Sequence, residues 1–414
     1  MSRAKRSRRR KGEGSIFQRG DGMWIAKVMR EDGTYYQRGR ARHDDAMVEL
    51  RKMLEEVRDG IDPAAGTATI DEWMDYWLDA IAATRVRPGT LDTYRSAVKQ
   101  HIRPNLGTKQ LSRLRPADIR LMVKTITDRR STRTAQAAFN ILSKALDDAV
   151  NEGTVRENPC HKMDRPEALS EERAPLTVDQ ARSVLLHVAG TENPLLASRW
   201  TLSLLSGVRQ GEALGLEWGR VDFDQNVLDV SKQLRRVRLK PGTTLPDGDL
   251  YPKDVFAAPK TYDLEPLWKG MCLVDTKTKG SQRIIPMLPP LKIALQALRD
   301  QTPADQRLVF TRPGGMPVKA MDDTAAWRQV CVEAGVVPSV AKAPDQHASR
   351  NTVATLLLEA GVEESVRMQI LGHTTVTAHR GYVSTSTDVT RDALGKMVKL
   401  LKLDEPADQP PAET

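Results

Sequence analysis

The chain has 414 residues, of which 40% are hydrophobic and 28% charged, so it is long enough for two or three domains of an ordinary soluble globular protein. Its net charge of +9 is mild. No apolar run is long enough to span a bilayer, and no apolar stretch follows the basic N-terminus as in a signal peptide, so we expect a cytoplasmic location and no membrane partner. Cys160, Cys272 and Cys331 fit neither a disulfide framework nor zinc-ligand spacing, which predicts buried thiols and no metal site.

The two ends of the chain differ in charge. Residues 1–11 hold seven basic residues and no acidic one, whereas residues 404–414 hold four acidic residues and no basic one. A basic run of this kind is typical of a disordered arm that binds nucleic acid by releasing counterions, although a solubilising arm has the same composition.

Residues 12–60 predict a three-stranded sheet followed by a helix. Asp21-Gly22 and Asp32-Gly33 lie between extended runs and favour hairpin turns. The helix is predicted from Asp44 to Arg58. Its apolar face would consist of Met47, Leu50, Met53, Leu54 and Val57. Basic residues on the strands, among them Lys27, Arg38 and Arg40, would contact DNA if the sheet enters a major groove, or lie on a solvated face.

Residues 60–66 read as a linker, and residues 68–158 predict an all-helical domain. Thr69 to Glu72 match a capping box at the start of a helix that runs to Ala82 and has Trp73, Tyr76 and Trp77 on its apolar side. Further helices are predicted over 90–102, from Pro116 onward and over 132–151. Arg95 and Lys99 belong to a basic set that either faces DNA or is solvated, and composition does not choose between these.

Residues 159–175 form a polar, proline-flanked linker before a mixed domain over 176–403. Helices are predicted at 179–188, 195–205, 291–299, 324–334, 352–360, 364–371 and 389–401, with short strands at 226–230, 270–274 and 283–287. Residues 236–270 lack helical period and read as a long insertion. The predicted fold class is therefore multidomain α+β: a small sheet with a helix, an all-helical domain, and a mainly helical domain with a small antiparallel sheet.

Six side chains in the last domain could carry chemistry, in the order Arg209, Lys277, His347, Arg350, His373 and Tyr382. Each is weak evidence alone, because turn arginines and isolated histidines are usually structural. Together they supply a phenol, two guanidinium groups, two imidazoles and an amine without a carboxylate cluster to hold a metal. Such a set suits metal-free attack on a phosphodiester.

The order of these motifs resembles the tyrosine recombinase (phage integrase) family over nearly the whole chain. Gly207-Val-Arg209-Gln-Gly211-Glu212 matches the family's first box, His347-Ala-Ser-Arg350 its second, and Leu371-Gly372-His373 its third. Tyr382 matches its nucleophile. The family lysine lies in a β-hairpin before an arginine-containing strand. Lys277 aligns best with it, and Lys279 stays an alternative. Asn351 departs from the histidine that the family usually has there.

The resemblance implies a role for each residue. Arg209 and Arg350 would clamp the phosphate charge, with Glu212 behind them, and Tyr382 would form a covalent phosphotyrosine. Lys277 would protonate the leaving 5′ oxygen, His373 would bind a non-bridging oxygen, and His347 would act as acid or base. No ATP or other cofactor is expected.

The resemblance also implies partners. Residues 12–60 look like an arm-binding domain, which predicts an integrase that bridges core and arm sites on double-stranded DNA as a homotetramer, its C-terminal helix docking on a neighbour. A host DNA-bending factor and a directionality factor would assist it near the bacterial nucleoid. The alternatives are a recombinase that only excises or resolves, a topoisomerase, and a non-catalytic DNA-binding regulator.

Overall fold

A computed structural model describes residues 13–30, 33–59, 62, 67–168, 174–245, 247–276, 282–372 and 387–403. The chain forms two compact units, residues 1–171 and 172–414, whose border falls inside the predicted linker. Helices and small antiparallel sheets build both units, which confirms the predicted multidomain α+β class. None of the helices in the described ranges is long and apolar enough to cross a bilayer.

The first unit begins with the predicted three-stranded antiparallel sheet and helix. Its strands are β1 (Ser15–Gln18), β2 (Trp24–Met29) and β3 (Tyr35–Arg40), in that order across the sheet, followed by helix α1 (His43–Arg58). Gly22 and Gly33 have φ of +85° and +81°, values that the two hairpin turns require and glycine adopts without strain. Ala26 and Val28 of β2 are buried together with Met53 of α1.

One face of α1 differs from the prediction. Met53 is buried, but Met47 is 37% exposed, and its place at the interface is taken by Ala46 and Glu49. Glu49 is buried because it forms ion pairs with two arginines of β3. The contact face of the helix therefore combines the predicted Leu50, Met53, Leu54 and Val57 with an ionic contact that hydrophobic periodicity does not register.

The rest of the first unit is all-helical, as predicted. Its α-helices are α2 (Ile70–Tyr76), α3 (Ala83–Arg85), α4 (Pro88–Ala97), α5 (Arg103–Leu106), α6 (Pro116–Arg129) and α7 (Thr132–Asn151). Wider π-type turns at Trp77–Ala82 and Val98–Ile102 join α2 to α3 and α4 to α5.

Two tryptophans hold this helical core together. The indole N–H of Trp73 donates to the Ala145 carbonyl of α7 at 2.9 Å, and that of Trp77 donates to Asp148 at 2.8 Å. Both rings are buried. Tyr76, predicted on the same face, is 48% exposed. Its ring centroid lies 5.5 Å from that of Trp73, so Tyr76 borders the buried core instead of entering it.

The second unit contains eight α-helices within its described ranges. They are α8 (Val178–Ala189), α9 (Pro194–Ser206), α10 (Gln210–Leu214), α11 (Pro289–Asp300), α12 (Ala320–Glu333), α13 (His347–Glu359), α14 (Glu364–Leu371) and α15 (Thr387–Leu400), together with 3-10 turns that include Trp218–Arg220. The central helix α9 is buried almost throughout from Ser198 to Ser206. It therefore anchors the turn that follows it.

The 3-10 turn at Trp218–Arg220 leads directly into the sheet region. One sheet has the order β4-β5-β9, a second the order β6-β8-β7, and β10 pairs with β11. All of these pairs are antiparallel. The strands are β4 (Val221–Asp222), β5 (Val227–Val230), β6 (Lys232–Arg236), β7 (Leu264–Trp268), β8 (Met271–Asp275), β9 (Arg283–Pro286), β10 (Thr311–Arg312) and β11 (Met316–Pro317). The predicted strands at 226–230, 270–274 and 283–287 are confirmed.

The segment 236–270 is more ordered than the prediction of a long insertion suggested. It contains β7, which pairs with β8 across the Lys269-Gly270 turn, and a 3-10 turn at Lys253–Val255. Its apolar side chains form a cluster of their own with β8, made of Val237, Tyr251, Phe256, Leu264, Cys272 and Val274. The small packed lobe could not be predicted from the sequence, because proline and glycine interrupt the hydrophobic periodicity of this segment.

The C-terminal helix α15 packs within its own chain. Leu394, Val398 and Leu401 are buried in the same hydrophobic core as Leu356 of α13 and Ile370 of α14. In the described chain the second unit covers this apolar face, and docking of the helix on a neighbouring subunit stays a prediction.

Candidate active site

The first-box arginine lies at a turn that glycine shapes. Helix α9 ends at Gly207, whose φ of +61° is left-handed, and Arg209 is the N-cap of α10. The Arg209 backbone N–H donates to Glu212 Oε2 at 2.9 Å, which fixes the start of the helix. A Cβ on Gly215 would lie 2.5 Å from the Leu234 nitrogen. The short helix therefore rests directly on β6.

Glu212 joins two arginines from distant parts of the chain. Its Oε1 accepts from Arg209 Nη1 at 2.7 Å, and its Oε2 accepts from Arg283 Nη2 at 2.9 Å. The carboxylate is 2% exposed. Burial opposes ionisation, but the charges and hydrogen bonds of Arg283 and Arg209 outweigh it and hold the pKa of Glu212 below its usual value. Glu212 is therefore ionised and orients Arg209.

Three guanidinium groups converge on the C-terminal end of α14. Arg283 Nε donates to the Ile370 carbonyl at 2.8 Å, Arg350 Nη2 donates to the Leu371 carbonyl, and Arg209 Nη2 donates to the Gly372 carbonyl at 3.0 Å. The last carbonyls of a helix lack intrahelical partners and carry partial negative charge, so cations are favoured there. The residue that follows this helix end is His373.

Arg350 also ties α13 to the first box. Its Nη1 donates to the Gly207 carbonyl at 2.6 Å, and the residue is 3% exposed. Burial, together with the positive charges of Arg209 and Arg283, lowers the pKa of Arg350 to about 9. We call Arg209, Arg283, Arg350 and Glu212 the arginine cluster. Its three cations face one carboxylate, so it favours an additional anion.

Access to the arginine cluster differs among its members. The side chain of Arg209 is 35% exposed, whereas that of Arg283 is 5% exposed. His347 is exposed and begins α13, one helical turn before Arg350. An incoming anion would therefore meet Arg209 on the open side of the cluster.

Three of the six predicted catalytic residues, Arg209, His347 and Arg350, lie in the described part of the chain. Lys277, with its alternative Lys279, and His373 and Tyr382 lie outside the described residues. The structure brings Arg209, Arg350 and the predicted supporting residue Glu212 together, although they are up to 141 positions apart in the sequence.

The strands on either side of Lys277 do not form the predicted hairpin. Asp275, at the end of β8, pairs with Lys232, whereas Arg283, at the start of β9, pairs with Val230. The two strands thus lie end to end along the continuous β5–β6 segment. The prediction of a hairpin between β8 and β9 is wrong, because β6 and β7 already pair with the two edges of β8 and leave no edge for β9.

Sequence reasoning missed Arg283 as a member of the site. It was noted only as part of the strand after the lysine. The available signal was an arginine at the start of the apolar run Ile284, Ile285 and Pro286, since an arginine that enters a core strand needs a buried acceptor. The sequence does not say that Glu212 is that acceptor.

The predicted DNA-contact residues have varied surroundings in the first unit. Arg38 and Arg40 pair with Glu49, and by register they share the sheet face of Ala26, which packs on α1. Lys27 lies on the opposite face, with its Nζ 3.9 Å from the centre of the Tyr35 ring.

The two predicted contacts in the helical block also differ. Arg95 forms an ion pair with Asp79 at 2.8 Å, and Lys99 is exposed. The DNA contacts of all five residues stay predictions.

The described ranges contain no group of three or more His, Cys, Asp or Glu side chains that could hold a metal ion. The three cysteines are buried, as predicted, and burial raises the pKa of each thiol to about 12.

Two family models match the chain. Residues 69–126 match the N-terminal SAM-like domain of phage integrases, and residues 266–388 match the phage integrase family. The second range contains the positions of Lys277, His347, Arg350, His373 and Tyr382.

Curated relatives extend the similarity to most of the chain. An integrase of Saccharopolyspora erythraea is 27% identical over 95% of this chain and 98% of its own length. A XerC-like tyrosine recombinase of Caldanaerobacter subterraneus is 24% identical over 80% of this chain and 83% of its own length.

Solved structures share the fold. The Tn1549 transposon integrase in complex with circular intermediate DNA has a TM-score of 0.59 and 20% identity, over 80% of this chain and 99% of that chain. A lambda integrase dimer bound to a core site has a TM-score of 0.55 and 16% identity, over 98% of this chain and 100% of that chain. With the two family models and the integrases among its curated relatives, the chain belongs to the phage integrase family, the tyrosine recombinases.

Proposed function

We propose that this chain is a site-specific recombinase that integrates, and also excises, phage or mobile-element DNA through a covalent 3′-phosphotyrosine intermediate and a Holliday junction. The observation that carries the proposal is the convergence of Arg209, Arg283 and Arg350 on the helix end that precedes His373. A surplus of buried positive charge at this point suits a DNA phosphate.

The reaction follows from the residue types. The Tyr382 phenol oxygen attacks the phosphorus, and the bond from phosphorus to the 5′ oxygen breaks. Arg209 and Arg350 hydrogen-bond the non-bridging oxygens as their negative charge grows. One phosphoester replaces another, so the scheme requires neither ATP nor a metal ion.

The remaining residues transfer protons, bind the phosphate or hold Arg209 in place. Lys277 donates a proton to the leaving 5′ oxygen, with Lys279 as the alternative donor, and His347 takes the proton of the phenol. His373 donates to a non-bridging oxygen. Glu212 keeps Arg209 in place through the paired contacts described above.

A DNA complex of a structurally similar protein supports a tetramer on synapsed DNA. The lambda integrase has been crystallised as a tetramer bound to a Holliday junction, and that structure matches 89% of this chain with a TM-score of 0.52. We propose the same assembly on core and arm sites here, assisted by a DNA-bending host factor and a directionality factor.

The proposed arm-binding function of the N-terminal sheet can be tested by charge reversal. Lys27→Glu is expected to weaken binding to the arm sequence and to prevent integration, while leaving cleavage of core DNA intact, because Lys27 lies on the sheet face opposite α1. Lys52→Glu, on the exposed side of α1, is the matched control. Equal arm affinity in both variants would contradict this function.

A nicked suicide substrate tests the reaction itself. With core DNA from the element's own junctions, the wild type and Tyr262→Phe should both trap a covalent protein–DNA adduct on a denaturing gel, whereas Tyr382→Phe should trap none. The absence of adduct from the wild type, or its persistence in Tyr382→Phe, would refute the proposed function.

A further inference from the structure

Arg283 occupies a position where three parts of the site meet. It begins β9, the strand that follows Lys277 and Lys279 in the sequence, and its side chain is 5% exposed. Its Nη2 reaches Glu212 in the first box at 2.9 Å, and its Nε reaches the Ile370 carbonyl, three residues before His373, at 2.8 Å. One buried side chain thus contacts α10, α14 and its own strand.

We infer that Arg283 is a positioning residue for catalysis. It holds three parts of the site at fixed positions relative to one another: β9, which follows Lys277 in the sequence, the first box with Arg209, and the C-terminal end of α14, which precedes His373. The inference deepens the proposed function and rests on it. Arg283 acts through Glu212 and through the α14 carbonyl, and it does not touch the phosphate because its guanidinium group is enclosed by these partners.

The geometry requires an arginine. The two contacts leave from different nitrogens of one rigid, planar group, so they fix the angle between the Glu212 carboxylate and the end of α14. A lysine would preserve the charge near Glu212 but would offer a single nitrogen, which cannot serve both acceptors with the same geometry.

Arg283 could also act only as the counter-ion of Glu212, and this simpler role must be distinguished from positioning. Arg283 also neutralises the buried charge of Glu212, and a residue with that role alone would matter only while the carboxylate is present. The contact with Ile370 predicts a second effect, which persists when Glu212 is replaced. A comparison in the Glu212→Gln background therefore distinguishes the two roles.

The experiment measures single-turnover cleavage of the nicked suicide substrate by full-length protein at saturating concentration. The variants are Arg283→Lys, Arg283→Met, Glu212→Gln and the double variant Glu212→Gln/Arg283→Met. Arg307→Met is the control, since it removes an arginine that pairs with two carboxylates of the same unit away from the arginine cluster. DNA affinity is measured in parallel.

The expected rates follow from misplacement of the reacting groups. Arg283→Met should cleave about 100-fold more slowly than the wild type, with unchanged DNA affinity, because small displacements of catalytic groups have effects of this size. Arg283→Lys should fall between the two, and the double variant should be slower than Glu212→Gln alone. If Arg283→Met does not fold, Arg283→Lys carries the test.

A second readout is independent of catalysis. Hydrogen exchange of the DNA-free protein should increase in peptides from the last turn of α14 in both Arg283 variants and stay unchanged in Arg307→Met. Wild-type cleavage by Arg283→Lys, equal rates for Glu212→Gln and the double variant, or unchanged exchange at α14 would each overturn the inference. A wild type that forms no adduct while exchange responds as expected would refute the proposed function and leave the positioning contacts supported.

Discussion

Glu212 determines the electrostatics of the arginine cluster at the scale of single residues. It accepts from Arg209 and Arg283 and is almost fully buried, so its negative charge is the counter-ion that lets two guanidinium groups lie close together. The cluster still carries a positive surplus, because Arg350 donates to the neutral carbonyls of Gly207 and Leu371. A phosphodiester would supply the missing negative charge.

Replacing this carboxylate should destabilise the second unit. Glu212→Gln is expected to lower the free energy of unfolding at pH 7 by about 3 kcal/mol, because it leaves buried guanidinium groups without a counter-charge. Urea denaturation measures the change. Glu265→Gln is the control, since its ion pair with Arg307 is half exposed and should contribute no more than about 1 kcal/mol.

The same pair of proteins predicts a pH dependence. The pKa of Glu212 is below its unfolded value of 4.5, so its stabilising effect is complete above that pH and is lost as the pH falls through the folded pKa. The difference in unfolding free energy between the wild type and Glu212→Gln should therefore narrow as the pH falls below 4.5. A difference that stays constant or widens would contradict the ionised, paired state of Glu212.

At the scale of elements, the turn between α9 and α10 sets where Arg209 lies. Gly207 is left-handed, and a Cβ there would lie 2.7 Å from Leu371 Cδ2. Gly361, after α13, is also left-handed, with a φ of +70°, but a Cβ there would meet nothing within 4 Å. A side chain at Gly361 would meet backbone strain alone, whereas one at Gly207 would meet backbone strain and a steric clash with Leu371.

This difference gives a matched prediction. Gly361→Ala should cost about 1 kcal/mol of stability from left-handed strain alone. Gly207→Ala should cost about 1–3 kcal/mol more, because the added methyl group crowds the end of α14. Thermal or urea unfolding of both variants measures this, and an equal cost at the two positions would show that the contact with Leu371 is unimportant.

Sequence patterns predicted most elements because helices and buried strands have a regular period. The period gave most of the longer helices of both units and the strand that begins at Arg283, whereas the Asp-Gly pairs gave the hairpins at Gly22 and Gly33. It failed where a contact between distant residues decides the outcome. Glu49 entered the face of α1 because Arg38 and Arg40 neutralise it, and that pairing has no local signature.

In the candidate site, too, the sequence predicted the features that depend on neighbouring residues and missed those that depend on contacts between distant residues. The resemblance to the family's motifs identified Arg209, Glu212 and Arg350, because each motif is a short local pattern that a sequence displays directly. It did not show that Arg283 joins them, or that β8 and β9 lie end to end along the β5–β6 segment. Both facts depend on strand register, which a single sequence does not fix.

At the scale of the whole molecule, α15 completes the core of the second unit. Its residues Leu394, Met397, Val398 and Leu401 are all buried in the same hydrophobic cluster as α9 and α13. Each apolar side chain of this size contributes about 1.5–3 kcal/mol when it is buried. The helix is therefore part of the hydrophobic core of this unit in the described chain.

Two truncations test this assignment. A chain that ends at Leu403 should unfold at the wild-type temperature, because it keeps every apolar contact of α15. A chain that ends at residue 386 should melt at a much lower temperature or fail to fold, since it loses four buried side chains. Similar melting temperatures for both truncations would show that α15 does not contribute to the core.

The central claim is that the arginine cluster serves Tyr382, and identification of the DNA-linked residue tests it most directly. The trapped adduct would be digested with nuclease and trypsin, and the nucleotide-bearing peptide would be sequenced by mass spectrometry. Trypsin should release residues 381–391, GYVSTSTDVTR, which contain Tyr382 beside Ser384, Thr385 and Ser386. We expect the nucleotide on Tyr382, and a nucleotide on one of the neighbouring hydroxyl residues or on any other peptide would contradict the account.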